Sequence, residues 1–163
     1  MLIRPATETD RPIIVDIYRK SQAATGIPNP EYFPPDQLEE YLYGRDAIER
    51  LVAEVSGKVV CHTLIENPNP KHIEKWQAGL EDKSKPKLLE LGGSFVDPDF
   101  SKQGIWGGLF YYSILLARLN QAVPVSVTWA QNDHVKRKFI SFGGREVGTH
   151  TTLAGDLNLF VFP

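Results

Sequence analysis

The sequence predicts an α/β fold, a single mixed sheet with helices on both faces. Apolar runs of strand length alternate with segments of helical periodicity, two pairs of such runs are joined by short turns as hairpins, and a long apolar helix follows a strand through a glycine-rich turn. With 163 residues, 42% of them hydrophobic and 23% charged, the chain is expected to form one globular domain over its whole length, residues 1–163.

The first strand covers Leu2 to Arg4. After a turn comes a helix in which Ile13, Ile14, Ile17 and Tyr18 recur at helical spacing, with Asp10 as its N-cap and Pro12 in its first turn. "ATGIPNPEYFPP" carries four prolines and reads as irregular, either a substrate-side loop or a plain connector. "DQLEEYLYGRDAIERL" returns to helix. "RLVAEVSGKVVCHTLIE" is two apolar runs around Ser56-Gly57-Lys58, a β-hairpin. The polar, lysine-rich stretch at about residues 67–87 reads as a surface insertion, with a short helix near His72 to Leu80.

"LLELGGSFV" resumes a strand, and its glycine pair, Gly92-Gly93, predicts a bulge or a close backbone approach. Between Gly104 and Asn120 the residues Ile105, Leu109, Tyr112, Leu115 and Leu119 share one helical face, and Phe110, Ile114 and Leu116 make the rest apolar too. This helix is expected to lie buried against the sheet. "VPVSVTWA" is a strand, "NDHVKRKFISF" a short helix capped by Asn132, and "REVGTHTTLAGDLNLFVF" a hairpin turned at Ala154-Gly155-Asp156.

Composition narrows the function classes. A net charge of −2 provides no general attraction to phosphate backbones, so nucleic acid is not an expected partner. The single cysteine, Cys61, excludes an internal disulfide framework and reads as a small core residue. No window reaches the ~18 apolar residues of a membrane span, and "MLIRPATETD" lacks a basic stretch followed by an apolar block, so a cytoplasmic protein is expected. His62, His72 and His134 have no spacing that suggests a metal site or a triad.

The stretch "SKQGIWGGLF" joins a strand to a helix through Gly104, Gly107 and Gly108. Unpaired amides and the positive end of the helix dipole meet at such a turn, and glycine lets an anion approach the backbone. Neither the Walker nor the Rossmann spacing is met. Taken alone, the turn serves either anion binding or close helix-on-sheet packing.

It does not stand alone. "LLELGGSFVDPDF", the glycine turn and "NDHVKRKFISFGG" together resemble the GNAT superfamily of acyl-CoA N-acyltransferases, in which a strand ending in V-x-P leads into [Q/R]-x-x-G-x-[G/A]. Val96-Asp97-Pro98 matches the first piece and Gly104 the loop glycine, while "IRPATETD" and "LVAEVSGKVV" resemble the family's opening and its second and third strands. The resemblance implies a mostly antiparallel sheet of about seven strands and an acetyl or short acyl group passed from acetyl-CoA, or another acyl-CoA, to a primary amine. The acceptor is a small-molecule or peptide amine, which attacks the thioester directly in a ternary complex. Many members pair edge to edge, so a homodimer is allowed for.

The same resemblance distributes the roles. The amides of Lys102, Gln103, Gly104, Ile105, Trp106 and Gly107 hold the coenzyme pyrophosphate, and Lys102 adds charge. A bulge at Gly92-Gly93-Ser94 frees an amide near Phe95 or Val96 for the thioester oxygen. Glu90 stands where the histone acetyltransferase branch places its catalytic glutamate; it is either the general base or a strand glutamate paired with a lysine. His150 is a second candidate base.

Two positions depart from the family pattern. Asn132 aligns with the family asparagine on the coenzyme side, which puts Phe139 where the tyrosine acid belongs, and phenylalanine donates no proton. Ser101 replaces the usual Gln/Arg, and Trp106 replaces a small residue, where it either folds over the coenzyme or fills its place. A GNAT-fold module that binds coenzyme A weakly or not at all, with a regulatory or partner-binding role, is the alternative function.

Overall fold

A computed structural model of the chain describes residues 1–25, 43, 47–153 and 155–163. The strands are β1 (Leu2–Pro5), β2 (Ala47–Val55), β3 (Lys58–Glu66), β4 (Leu88–Val96), β5 (Val123–Trp129), β6 (Arg145–Thr152) and β7 (Gly155–Val161). The helices are α1 (Arg11–Thr25), α2 (Pro70–Ala78), α3 (Ile105–Leu119) and α4 (Asp133–Ser141). The strands form one seven-stranded mixed sheet in the order β1-β2-β3-β4-β5-β7-β6. No described helix is long and apolar enough to cross a membrane.

The residues cluster into two compact units, Met1–Ile65 with Gly93–Phe110, and Glu66–Gly92 with Tyr111–Pro163. In the first unit β1 pairs antiparallel with β2, from Leu2↔Glu54 to Pro5↔Leu51. The β2–β3 hairpin turns at Ser56 and Gly57, both left-handed with φ of 51° and 77°, the pairing a tight hairpin turn requires. Ile14, Val15, Ile17 and Tyr18 of α1 pack with Val52 and Val59 to form its core. The Tyr18 and Phe95 rings meet edge to face at 4.6 Å.

In the second unit β4 and β5 run parallel, β5 and β7 antiparallel, and β7 and β6 antiparallel with an irregularity between Glu146 and Gly148. Trp76 and Leu80 pack with Leu88, Val125, Leu159 and Val161. The β4–β5 ladder covers only Leu88 to Glu90 against Val123 to Val125.

Several sequence expectations need correction. Asp10 immediately precedes α1, but its carboxylate turns back: it accepts from the Thr7 amide at 2.7 Å and from Arg4 at 2.7 and 3.0 Å. The irregular proline-rich stretch and most of the helix expected after it lie outside the described residues. Where that stretch is described again, Ala47 to Leu51 is strand, because the Arg50 carbonyl accepts from Ala6 and Leu51 pairs with Pro5. Cross-strand pairing overrides a weak helical preference there.

Within the segment expected on the surface, α2 buries one face, with Trp76 fully covered and His72 only 2% exposed. On α3 the buried residues are Ile105, Leu109, Phe110, Ser113, Ile114 and Ala117, whereas Tyr112, Leu115 and Leu119 are exposed. The expected face is buried at Ile105 and Leu109 and exposed from Tyr112 on, where the buried stripe runs instead through Ser113, Ile114 and Ala117. Gly155 and Asp156 belong to β7 and not to the last turn.

Candidate functional site

Asp97 organises the exit from β4. Its amide donates to the Val60 carbonyl at 2.8 Å, and its Oδ1 accepts from the Asp99 amide at 3.1 Å, capping a single turn of 3-10 helix over Pro98–Phe100. Lys58 and Lys20 approach Oδ2 at 3.5 and 4.0 Å, both from solvent. The lysines reach from solvent to a buried carboxylate, and together with the backbone bonds they fix this corner.

Beyond it Lys102 and Gly104 are left-handed, with φ of 62° and 77°. α3 then begins, and its Gly108 amide donates to the Gly104 carbonyl at 2.9 Å. The first turn of α3, Ile105 to Gly107, stands at the positive end of the helix dipole. A β-carbon placed on Gly104 meets nothing within 4 Å, so the backbone there faces open space. The half-buried Trp106 indole stacks on Phe110 at 5.3 Å, one turn along α3 from the loop.

Upstream, Gly93 is left-handed within β4, φ 56°, and a β-carbon there stands 2.7 Å from Leu64 Cδ1. This is the conformation of a bulge glycine. The Gly93 carbonyl lies 3.1 Å from His62 Nδ1, and the Thr63 and Ser94 hydroxyls are 2.5 Å apart. A carbonyl only accepts, so His62 carries its proton on Nδ1 and Nε2 is the bare nitrogen. Nε2 has no hydrogen-bond partner among the described residues, and burial pushes the imidazole pKa down to about 4. Phe95 and Val96, half-buried, follow directly.

The candidate bases lie in the second unit. Glu90 is 7% exposed, and its Oε2 accepts at 2.8 Å from the amide of Asn69, the N-cap of α2. His150, half-buried on β6, meets the ring of His72 at 4.7 Å. His72 lies edge to face with Trp76, and its own nitrogens have no partner among the described residues. Burial first, then the nearby His150, Lys75 and Lys71, lower its pKa to about 4. The first turn of α2 therefore touches both candidates, Glu90 through its cap and His150 through His72. Among the described residues no cluster of three or more His, Cys, Asp or Glu side chains suits a metal.

Asn132 caps α4, its Oδ1 accepting from the Val135 amide at 3.3 Å. Phe139 is 2% exposed, edge to face with Phe160 at 5.2 Å and Phe162 at 5.5 Å. Its ring is spent on packing and presents almost no surface. Gly143 and Gly144 end α4: Gly143, at φ 83°, donates to Ile140, and Gly144 donates to Phe139 at 2.9 Å, a Schellman motif. The sequence marks the glycine loop and Glu90 as candidates and assigns His62 no role; the signal His62 carries is an imidazole inside an otherwise apolar strand.

No protein-family model and no curated protein matches the chain. Solved structures do. The ribosomal-protein-alanine N-acetyltransferase from Brucella melitensis is 25% identical, with a TM-score of 0.74 over 99% of this chain and 98% of its own. An N-acetyltransferase from Staphylococcus aureus Mu50 is 18% identical, with a TM-score of 0.70 over 99% and 95%. A GNAT family acetyltransferase from Brucella melitensis, solved in complex with acetyl-CoA, is 17% identical, with a TM-score of 0.64 over 99% and 88%. The chain has the α/β fold of the GNAT superfamily, as its motifs predict. These three neighbours are acetyltransferases, at sequence identities where the fold is the shared property.

Proposed function

We propose that the chain is an N-acyltransferase that moves an acetyl or short acyl group from acyl-CoA to a primary amine by direct attack in a ternary complex. The observation that carries this reading is the left-handed Lys102–Gly104 loop, which leads from the end of β4 into the first turn of α3 with open space at the Gly104 β-carbon position. In this reading the amides of Lys102 to Gly107 hold the pyrophosphate, and Lys102 adds a positive charge from its exposed position.

The amides of Phe95 and Val96, beyond the Gly93 bulge, take the thioester oxygen as charge develops on it. Preorganised donors of this kind are worth about 10²–10³ in rate. Glu90 accepts the proton lost by the acceptor ammonium, with His150 as the second candidate. The amine nitrogen forms the new C–N bond, the C–S bond breaks, and coenzyme A leaves as the thiolate. A thiolate is a tolerable leaving group, so transfer proceeds more slowly without a tyrosine acid but is not abolished.

One observation favours the alternative, a catalytically impaired GNAT-fold module. Phe139 stands at the sequence position of the family's tyrosine acid, has no proton to donate, and packs edge to face with Phe160 and Phe162. Titration with acetyl-CoA, followed by the fluorescence of the three tryptophans, separates the readings. Absence of binding at millimolar ligand overturns the enzyme reading. Binding is then followed by thiol-release assays with a monoamine, a polyamine and a peptide with N-terminal alanine. Release with any of them supports transfer, whereas binding without release supports the module.

A further inference from the structure

We propose that His62 is a positioning residue for the acyl transfer: its Nδ1–H holds the Gly93 carbonyl and with it the Gly93–Ser94 peptide, the anchor from which the chain runs on to the Phe95 and Val96 amides that receive the thioester oxygen. The inference rests on the acyltransferase reading and adds to it a residue from a different strand.

A trans peptide is planar, so the direction of one carbonyl sets that of the amide on its far side. The Gly93 carbonyl is directed at His62 Nδ1, 3.1 Å away, which fixes the plane of the Gly93–Ser94 peptide. Gly93 needs such a restraint. Glycine has the widest range of allowed backbone angles, and at φ 56° it interrupts the extended backbone of β4. The Thr63–Ser94 hydroxyl contact at 2.5 Å holds the next residue from the same strand, so β3 grips the bulge at two consecutive positions.

The cost of His62 points the same way. It sits between Cys61 and Thr63 in a strand buried from Val59 to Glu66, is itself 1% exposed, and leaves Nε2 without a partner among the described residues. An apolar side chain of similar size fills that space without burying a bare nitrogen. What it lacks is a donor for the Gly93 carbonyl.

The test compares His62→Asn, His62→Leu and His62→Gln with the wild type. Asparagine places its amide nitrogen where Nδ1 stands and keeps the donor; glutamine places it nearer Nε2, and leucine has none. With acetyl-CoA and whichever panel amine the wild type turns over, His62→Leu is expected to lower kcat by about tenfold or more, part of the roughly 10²–10³ that an oxyanion donor is worth. His62→Asn is expected to restore most of it, while acetyl-CoA affinity by tryptophan fluorescence changes little in either. Should His62→Leu fail to fold, His62→Gln is the variant expected to lose kcat alone. Ring-nitrogen NMR of the wild type should give the Nδ1–H tautomer for His62. A kcat unchanged in the leucine and glutamine variants, a parallel loss of kcat and coenzyme affinity, or the Nε2–H tautomer overturns the assignment. Absence of wild-type turnover with every amine overturns the acyltransferase reading, and this assignment with it.

Discussion

The hydroxyl of Ser126 donates to the carbonyl of Leu91 at 2.6 Å, in a fully buried position just past the last rung of the β4–β5 ladder. A side chain takes over there from the backbone, so the parallel pair stops at Glu90 and Val125 without leaving the next carbonyl unsatisfied. Ser126→Ala removes the donor and keeps the volume nearly unchanged. The expected loss is about 1–3 kcal/mol, the cost of a buried acceptor left without a partner, read from urea unfolding midpoints. Ser126→Thr, which keeps the hydroxyl, should recover part of it.

The two glycines that end α4 should respond differently. A β-carbon on Gly144 stands 2.7 Å from both the Phe139 carbonyl oxygen and Phe162 Cε1, whereas Gly143 has open space but a φ of 83°. Gly143→Ala is expected to cost only the left-handed penalty of about 1–2 kcal/mol. Gly144→Ala must displace backbone and should cost more, about 3 kcal/mol by analogy with overpacked cores. Thermal unfolding of the two variants side by side checks the order.

Gly104 and Gly57 make a matched pair, both at φ 77° and both with open space at the β-carbon position. Alanine at either should destabilise the fold by a similar ~1–2 kcal/mol. Only Gly104→Ala should also weaken acetyl-CoA binding, by about tenfold, which corresponds to ~1.4 kcal/mol. Equal coenzyme affinity in the two variants would detach the loop from the pyrophosphate.

Glu90 both accepts from the α2 cap and is proposed as base, and Glu90→Gln separates these roles because the amide oxygen still accepts from Asn69 at the position of Oε2. Turnover is expected to fall by about 10²–10⁴ with acetyl-CoA affinity and stability nearly unchanged. The same measurement on His150→Gln assigns the base: the larger loss of kcat marks it.

Acid should weaken the fold through its buried histidines. Burial pushes His62 and His72 down to about 4, with His150, Lys75 and Lys71 contributing at His72. Between pH 6.5 and 4 the unfolded chain takes up protons that the folded chain refuses, so stability is complete above pH 6.5 and declines as the pH falls. For His62 alone a shift of that size amounts to on the order of 3 kcal/mol at the acid end. Asp10, held well below the usual carboxylate range first by its bonds to Arg4, adds a further loss below about pH 4, where the unfolded chain binds its proton. Urea midpoints measured at pH 7, 5.5 and 4.5 should fall monotonically, and His62→Asn should flatten the decline.

The sequence by itself determined most of the fold and the place of the loop, because both rest on local interactions. The Ser56-Gly57 turn, the Asn132 cap and the run from Val96-Asp97-Pro98 to Gly104 each encode a backbone conformation within a few residues, and those conformations are present in the structure. Pairing between strands distant in sequence decided what local preference could not. Arg50 and Leu51 became strand because β1 lay alongside, and the buried stripe of α3 fell on Ser113 and Ala117, which hydropathy does not mark. The same holds for the individual side chains. That Phe139 is locked in an aromatic cluster, that Glu90 accepts from the cap residue of α2 and that His62 bonds Gly93 are contacts made across the fold, and a hydrogen bond between residues on different strands leaves no periodicity in a sequence.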